Sequence, residues 1–209
     1  MRLLVSVADA LDAAAALSGG ADVIDAKDPS RGALGPVAPE ALAAIIASVA
    51  GRRPVSAALG DNFDGADAPL ESLAFAKLTR PRSVPGCALV IAAYADRCWE
   101  HVIEIGARWG AYGVLLDTSD KNGRGLFELV CEDAIGRWVE RAHEVGLIVA
   151  LAGRLTAEDL PRAAALGADI AGIRGAACDG GRGGRVSAER VRALASVARR
   201  GIAPMPAFL

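Results

Sequence analysis

The feature that most restricts the fold of this chain is a rhythm. Short apolar runs of strand length alternate with alanine-rich helical stretches almost from end to end. Runs that read as strands fall at 2–7, 21–26, 55–59, 73–78, 88–93, 112–116, 147–151 and 169–173. Helical stretches fall at 9–18, 39–49, 97–109, 127–145, 156–166 and 187–199. Glycine stops most of the helices: Gly19-Gly20, Gly51, Gly110, Gly146 and Gly167 sit where a left-handed C-cap is wanted. Thr156 and Asp159 resemble a capping box, and Ser187 suits an N-cap. About eight strands alternating with helices require a parallel sheet with crossover helices. Closed on itself, that is an α/β fold of the TIM (β/α)8 barrel type. The phrase Gly-Ala-Asp recurs before two strands, at 20–22 and 167–169, which favours the barrel over its rival, a doubly wound open sheet. The chain reads as one compact domain over residues 1–209.

One unit departs from the rhythm. Only residues 79–87 separate the fourth and fifth strands, and they include Pro81, Pro85 and Gly86. A parallel crossover usually takes a dozen or more residues, so the fourth helix is expected to be shortened or missing.

Composition removes several functions. A net charge of −2 and 4% aromatic residues offer neither a basic surface nor a stacking platform for nucleic acid. No apolar run approaches the roughly 20 residues of a membrane span, and the opening residues 1–7 read as a strand rather than a signal peptide. Cys87, Cys98, Cys131 and Cys178 are far apart, which suits reduced thiols in a cytoplasmic protein. His101 and His143 lie in helical stretches and complete no zinc pattern; no metal site is expected.

The chemistry-bearing signal is lysine. Basic residues are almost all arginine; lysine occurs only at Lys27, Lys77 and Lys121, each at or just after the carboxyl end of a strand. In a barrel that rim is the catalytic face. Arginine replaces lysine on a solvated surface but cannot lose its proton to attack a carbonyl. Asp25 and Lys27, two apart, point to the same side if the strand persists. The carboxylate is expected to hold the Lys27 ammonium, and Lys77 to push the other way, towards the neutral amine. Asp117 and Lys121 follow the sixth strand, where an ordinary surface ion pair is the alternative. Phosphate handles are expected at the loops after the seventh and eighth strands: Gly153-Arg154, Arg174-Gly175, and the glycine-rich run containing Gly181-Arg182. Ser30-Arg31-Gly32 offers a third handle or a lid, and Asp61-Asn62 lies on the same face.

At these residues the chain resembles the (5-formylfuran-3-yl)methyl phosphate synthase family of methanofuran biosynthesis. The matching phrases include 19–29 (GGADVIDAKDP), 32–35 (GALG), 54–57 (PVSA), 94–96 (YAD), 116–123 (LDTSDKNG), 150–153 (ALAG) and 173–178 (IRGAAC). The resemblance implies a barrel related to class I aldolases that condenses two glyceraldehyde 3-phosphates into a furan aldehyde phosphate, releasing phosphate and water. It implies Lys27 as the Schiff-base lysine and Lys77 as the proton acceptor, with Asp25, Asp117 and Lys121 as further polar groups. It implies a phosphorylated triose as ligand, no cofactor or metal because an iminium is the electron sink, and a homo-oligomer. Two alternatives stay open: another class I aldolase acting on sugar phosphates, and a non-catalytic barrel that binds them.

Overall fold

The computed structural model describes residues 1–60, 69–84 and 86–200. Its centre is a barrel of eight parallel strands in chain order. These are β1 (Arg2–Val7), β2 (Val23–Ala26), β3 (Val55–Ala58), β4 (Phe75–Leu78), β5 (Ala88–Tyr94), β6 (Gly113–Asp117), β7 (Ile148–Leu151) and β8 (Ile170–Ile173). Pairing of β1 with β8, from Arg2↔Ile170 to Val5↔Ile173, closes the ring and excludes the open sheet.

Helices α1 (Ala10–Gly19) and α2 (Pro39–Val49) follow β1 and β2. Then come α3 (Val102–Arg108) after β5, α4 (Leu126–Leu129) and α5 (Glu132–Glu144) after β6, α6 (Asp159–Ala165) after β7, and α7 (Ala188–Arg200) after β8. The β8–α7 connection carries a small antiparallel ribbon, β9 (Cys178–Asp179) with β10 (Arg185–Val186). The expected helix over 127–145 is two helices: Val130 and Cys131 are extended, and Glu132 and Asp133 open the second with charge that suits a helix N-terminus.

Strand parity divides the core in two. Leu3, Val5, Ile24, Ile91, Leu116 and Leu151 pack outward into the layer shared with the helices. Their neighbours Leu4, Val23, Phe75, Val90, Leu115 and Ile170 point inward and fill the barrel. Continuing the inward parity towards the carboxyl ends gives Ser6, Asp25, Lys27, Ser56, Lys77, Asp117 and Arg174, all of them buried. An apolar floor therefore carries a polar layer at one rim.

No helix lies between β4 and β5 among the described residues, as the short connection requires. Among the described residues the crossover from β3 to β4 carries a 3₁₀ turn at Leu70–Ser72; residues 61–68, including the expected Asp61-Asn62 feature, lie outside the described residues. In place of helices, Leu70, Leu73 and Val84 are buried against the outer face of the barrel.

The last helix packs back on the first through Gly19. A Cβ built there would lie 2.5 Å from Val191 Cβ and 2.7 Å from Ala188 O. Helix propensity alone gives Gly19→Ala a gain of about 1 kcal/mol, whereas overpacking costs about 1–3 kcal/mol. The backbone contact decides the sign, so a lower denaturation midpoint is expected for Gly19→Ala; an unchanged or higher midpoint would show that α1 and α7 separate at no cost.

Candidate active site

The polar rim opens into a cavity of about 360 Å³. Its floor is Leu4, Phe75, Leu115, Ala150 and Ile170, and its polar wall includes Lys27, Lys77, Asp117 and Lys121. All three lysines of the chain thus meet in one space.

They differ in their partners. Asp25 is fully buried and does not line the cavity. It accepts hydrogen bonds from Ser6 Oγ at 2.9 Å and Ser56 Oγ at 2.8 Å, and forms an ion pair with Lys77 at 2.6 Å. The two serines are its cross-strand neighbours, Ser6↔Asp25 and Asp25↔Ser56, so the row is fixed by strand register. The expectation that Asp25 would hold Lys27 is therefore corrected: its oxygens are taken by Lys77 and the two serines. Lys121 turns back onto Asp117, four residues earlier, and the carboxylate also accepts from Thr118 N–H at 2.8 Å. Both partners are largely buried, which sets aside a surface ion pair.

Lys27 alone has no ion pair or side-chain hydrogen bond among the described residues, although only 7% of it is exposed. Its backbone N–H is held by Val7 O at 2.9 Å. Burial, reinforced by the charges of Lys77 and Lys121 and opposed by Asp117 and Asp25, brings its amine down to about 8. At pH 7 roughly a tenth of such an amine is neutral, against about one in two thousand for an ordinary lysine. Burial works against the Asp117 charge, but the Lys121 and Lys27 cations outweigh it and hold the carboxyl below its usual value.

The anion handles do not all reach the cavity. Gly153, Arg154, Gly175, Gly181 and Arg182 line it. Gly153 sits at φ 100°, and a Cβ there would come within 2.8 Å of Thr118 Cγ2, so the loop after β7 needs glycine at this point. Arg154 follows it in the left-handed region at φ 58° and donates to Lys121 O at 3.0 Å. Arg174 lines the wall, but its guanidinium is spent on Ser6 O, Asp12, Arg182 O and Gly184 O, at 2.9–3.2 Å. That fork ties β8 to α1 and to the ribbon, so Arg174 is a strut of the rim as well as part of the cavity wall. Ser30, Arg31 and Gly32 are exposed and outside the cavity wall. Ser30 is turned onto Asp28 and Arg31 onto Pro36 O. They join the site through Arg182, which donates to Pro29 O and Gly32 O.

Sequence reasoning missed Ser6, Ser56 and Asp96 as site-shaping groups. Cross-strand register brings the two serines to Asp25, and register is not written in any one strand. His101 and His143 lie away from the cavity, His143 facing Asp169 at 2.9 Å.

Solved structures confirm the architecture. The fold resembles phosphoribosyl anthranilate isomerase from Thermus thermophilus (TM-score 0.69, 20% identity, 96% of this chain and 99% of that one). It also resembles thiamine phosphate pyrophosphorylase from Pyrococcus furiosus (TM-score 0.71, 13% identity, 97% of each chain). At these identities the likeness defines the class of protein only: a (β/α)8 barrel, here with a buried lysine–carboxylate cluster at its carboxyl rim. Sequence comparison goes further. The model of the family described as 4-HFC-P synthase matches residues 3–79 and 66–195, and the chain belongs to that family of enzymes. Among its relatives are the (5-formylfuran-3-yl)methyl phosphate synthases of Methanosarcina barkeri (32% identity, 93% of this chain, 97% of that protein) and Methanopyrus kandleri (34%, 93% and 97%). The two matched stretches overlap over residues 66–79.

Because the chain has only three lysines, selective 13C NMR of the lysine side chains resolves each amine directly. Lys27 is expected to titrate near pH 8. Lys77→Met removes a repelling cation and leaves Asp25 without its countercharge, and both effects raise the Lys27 midpoint. A Lys27 midpoint near the ordinary value of about 10.4 in the parent protein would contradict the description.

Proposed function

We propose that this chain is a Schiff-base synthase that condenses two glyceraldehyde 3-phosphates into (5-formylfuran-3-yl)methyl phosphate, with loss of one phosphate and two waters, for methanofuran or a related one-carbon carrier. The observation that carries the reading is the partnering of the lysines: Lys77 and Lys121 are ion-paired, and Lys27 stands buried, lowered and free at the same cavity. Membership of the 4-HFC-P synthase family and the names of the relatives support the product.

The neutral Lys27 amine attacks the carbonyl of one triose phosphate and, on loss of water, forms an iminium. The iminium acidifies the adjacent carbon and receives its electron pair, giving an enamine. Lys77 is the acceptor for that proton. In the free protein it is held as an ammonium against Asp25. An iminium on Lys27 adds a positive charge beside it, which favours release of the Lys77 proton towards Asp25 and frees the amine. The enamine adds to the second triose. Elimination of phosphate and two waters closes the aromatic ring, with Asp117 and Lys121 exchanging protons with the leaving oxygens. Hydrolysis of the iminium, which takes back the water lost in its formation, releases the furan aldehyde and regenerates the Lys27 amine. Gly153, Arg154, Gly175, Gly181 and Arg182 supply backbone N–H groups and charge for the phosphates at the rim. Arg174 acts by holding that rim in place, and Ser30, Arg31 and Gly32 by covering it through Arg182. The apolar floor limits hydrolysis of the imine before the ring has closed.

The test is turnover of glyceraldehyde 3-phosphate, followed by furan-aldehyde absorbance and phosphate release together. Both signals are expected in equal amounts, and both should fall at least about a thousandfold in Lys27→Arg, which keeps the charge but not the nucleophile. Imine formation without phosphate release would indicate another class I aldolase. Ligand binding without imine formation would indicate a non-catalytic barrel.

A further inference from the structure

The segment after β6 carries Lys121 back onto Asp117, yet nothing in its own backbone makes it do so. Among the described residues, no backbone-to-backbone hydrogen bond forms within residues 118–123. Thr118 N–H is held by the Asp117 side chain and Asn122 N–H by the Asp120 side chain, both at 2.8 Å. Two anchors come from outside. One is Arg154, through a single bond to Lys121 O. The other is Asp96, in the loop after β5. Its Oδ1 accepts Ser119 N–H at 2.8 Å, and its Oδ2 accepts Ser119 Oγ at 2.6 Å and Asp120 N–H at 3.1 Å. The strand ends beneath are joined as well, by Ala95 N–H to Asp117 O at 2.7 Å.

We propose that Asp96 is a positioning residue for the lysine cluster: it grips Ser119 and Asp120 from the neighbouring loop and thereby returns the Lys121 ammonium to Asp117 inside the cavity. Asp96 does not line the cavity, so it acts through Lys121 and not on the substrate. Its carboxyl is held at about 2 by the hydrogen bonds from Ser119 and Asp120, which overcome the opposing effect of partial burial. It therefore stays ionised, and an acceptor, at neutral pH. A lysine four residues along a loop gives up rotamer freedom and hydration to reach a buried carboxylate, and that cost opposes the gain from pairing the charge; a loop already fixed from outside lowers it. The catalytic part of this inference rests on the proposed reaction; the positioning part does not.

Lysine-selective NMR titration of Asp96→Ala separates positioning from simple charge. The groups acting on Lys121 are Asp117, Arg182 and Asp96; those acting on Lys27 are Asp117, Lys77, Lys121 and Asp25. If Lys121 stayed in place, loss of the Asp96 charge would lower its midpoint. If Asp96 positions it, Lys121 moves into water and its midpoint rises towards the ordinary value. Lys27 rises with it, because a repelling cation has left and Asp117 has lost its partner. The destabilised Gly19→Ala protein is the control for a merely structural effect and should leave both midpoints where they were. Ser119→Ala keeps the Asp96 charge, removes only the hydroxyl arm, and should shift both lysines upward by less. If Asp96→Ala does not fold, that variant decides the matter. Unchanged or lowered Lys121 midpoints in the folded variants would overturn the proposal. Failure of glyceraldehyde 3-phosphate turnover in the parent protein would leave these shifts intact and count only against the proposed reaction.

Discussion

A carboxylate at the bottom of a polar layer decides which lysine is left over. Asp25 has no contact with water, so its charge must be met entirely from within the protein. Ser6, Ser56 and Lys77 meet it. The second carboxylate, Asp117, is met by Lys121 and the Thr118 N–H. With both anions matched, the third ammonium in the same cavity has no partner, and an unpaired buried cation gives up its proton more readily than it persists. The fall of the Lys27 amine from 10.5 to about 8 corresponds to roughly 3 kcal/mol between its two protonation states. Reactivity at one lysine is in this sense produced by the pairing of the other two.

The same cavity shows why arginine and lysine are divided as they are. Arg174 is buried in a place where four carbonyl or carboxylate acceptors converge, from β1, α1 and the β9–β10 connection. A planar fork with five donors satisfies that arrangement, and an ammonium with three does not. The arginine that looked from sequence like a ligand handle is thus part of the frame that holds Gly175 and Arg182 at the mouth. The β3–β5 flank is a second case of substitution. Among the described residues no α-helix lies there, and Leu70, Leu73 and Val84 cover the apolar wall of β3 to β5.

Much of this was legible in the chain because strand parity is local. The limits of β1 and α2 coincide with the apolar runs that suggested them, and the three lysines lie at the strand ends where their positions put them. Parity also gives Asp25 and Lys27 a common face. It does not say which ammonium the carboxylate meets, because that depends on the stagger between strands. Asp25 is level with Ser56, Ser56 with Phe75, and Lys77 stands two residues further along β4. A four-carbon side chain can reach back over that distance; Lys27, beyond the end of its own strand, turns to the open cavity instead. The Asp96 anchor was hidden for a related reason. It acts between two loops 23 residues apart, and only the β5–β6 pairing brings them together. The break at Val130–Cys131 was hidden by helical periodicity that continues across it.

The central claim is that Lys27, and neither of its neighbours, is the nucleophile. It is tested most directly by borohydride reduction in the presence of glyceraldehyde 3-phosphate, followed by peptide mapping of the adduct by mass spectrometry. The three lysines fall in separate peptides, so the outcome is unambiguous. A reduced triose adduct on Lys27 alone is expected, formed faster as the pH rises through about 8. An adduct on Lys77 or Lys121, or none in a folded protein saturated with substrate, would contradict it.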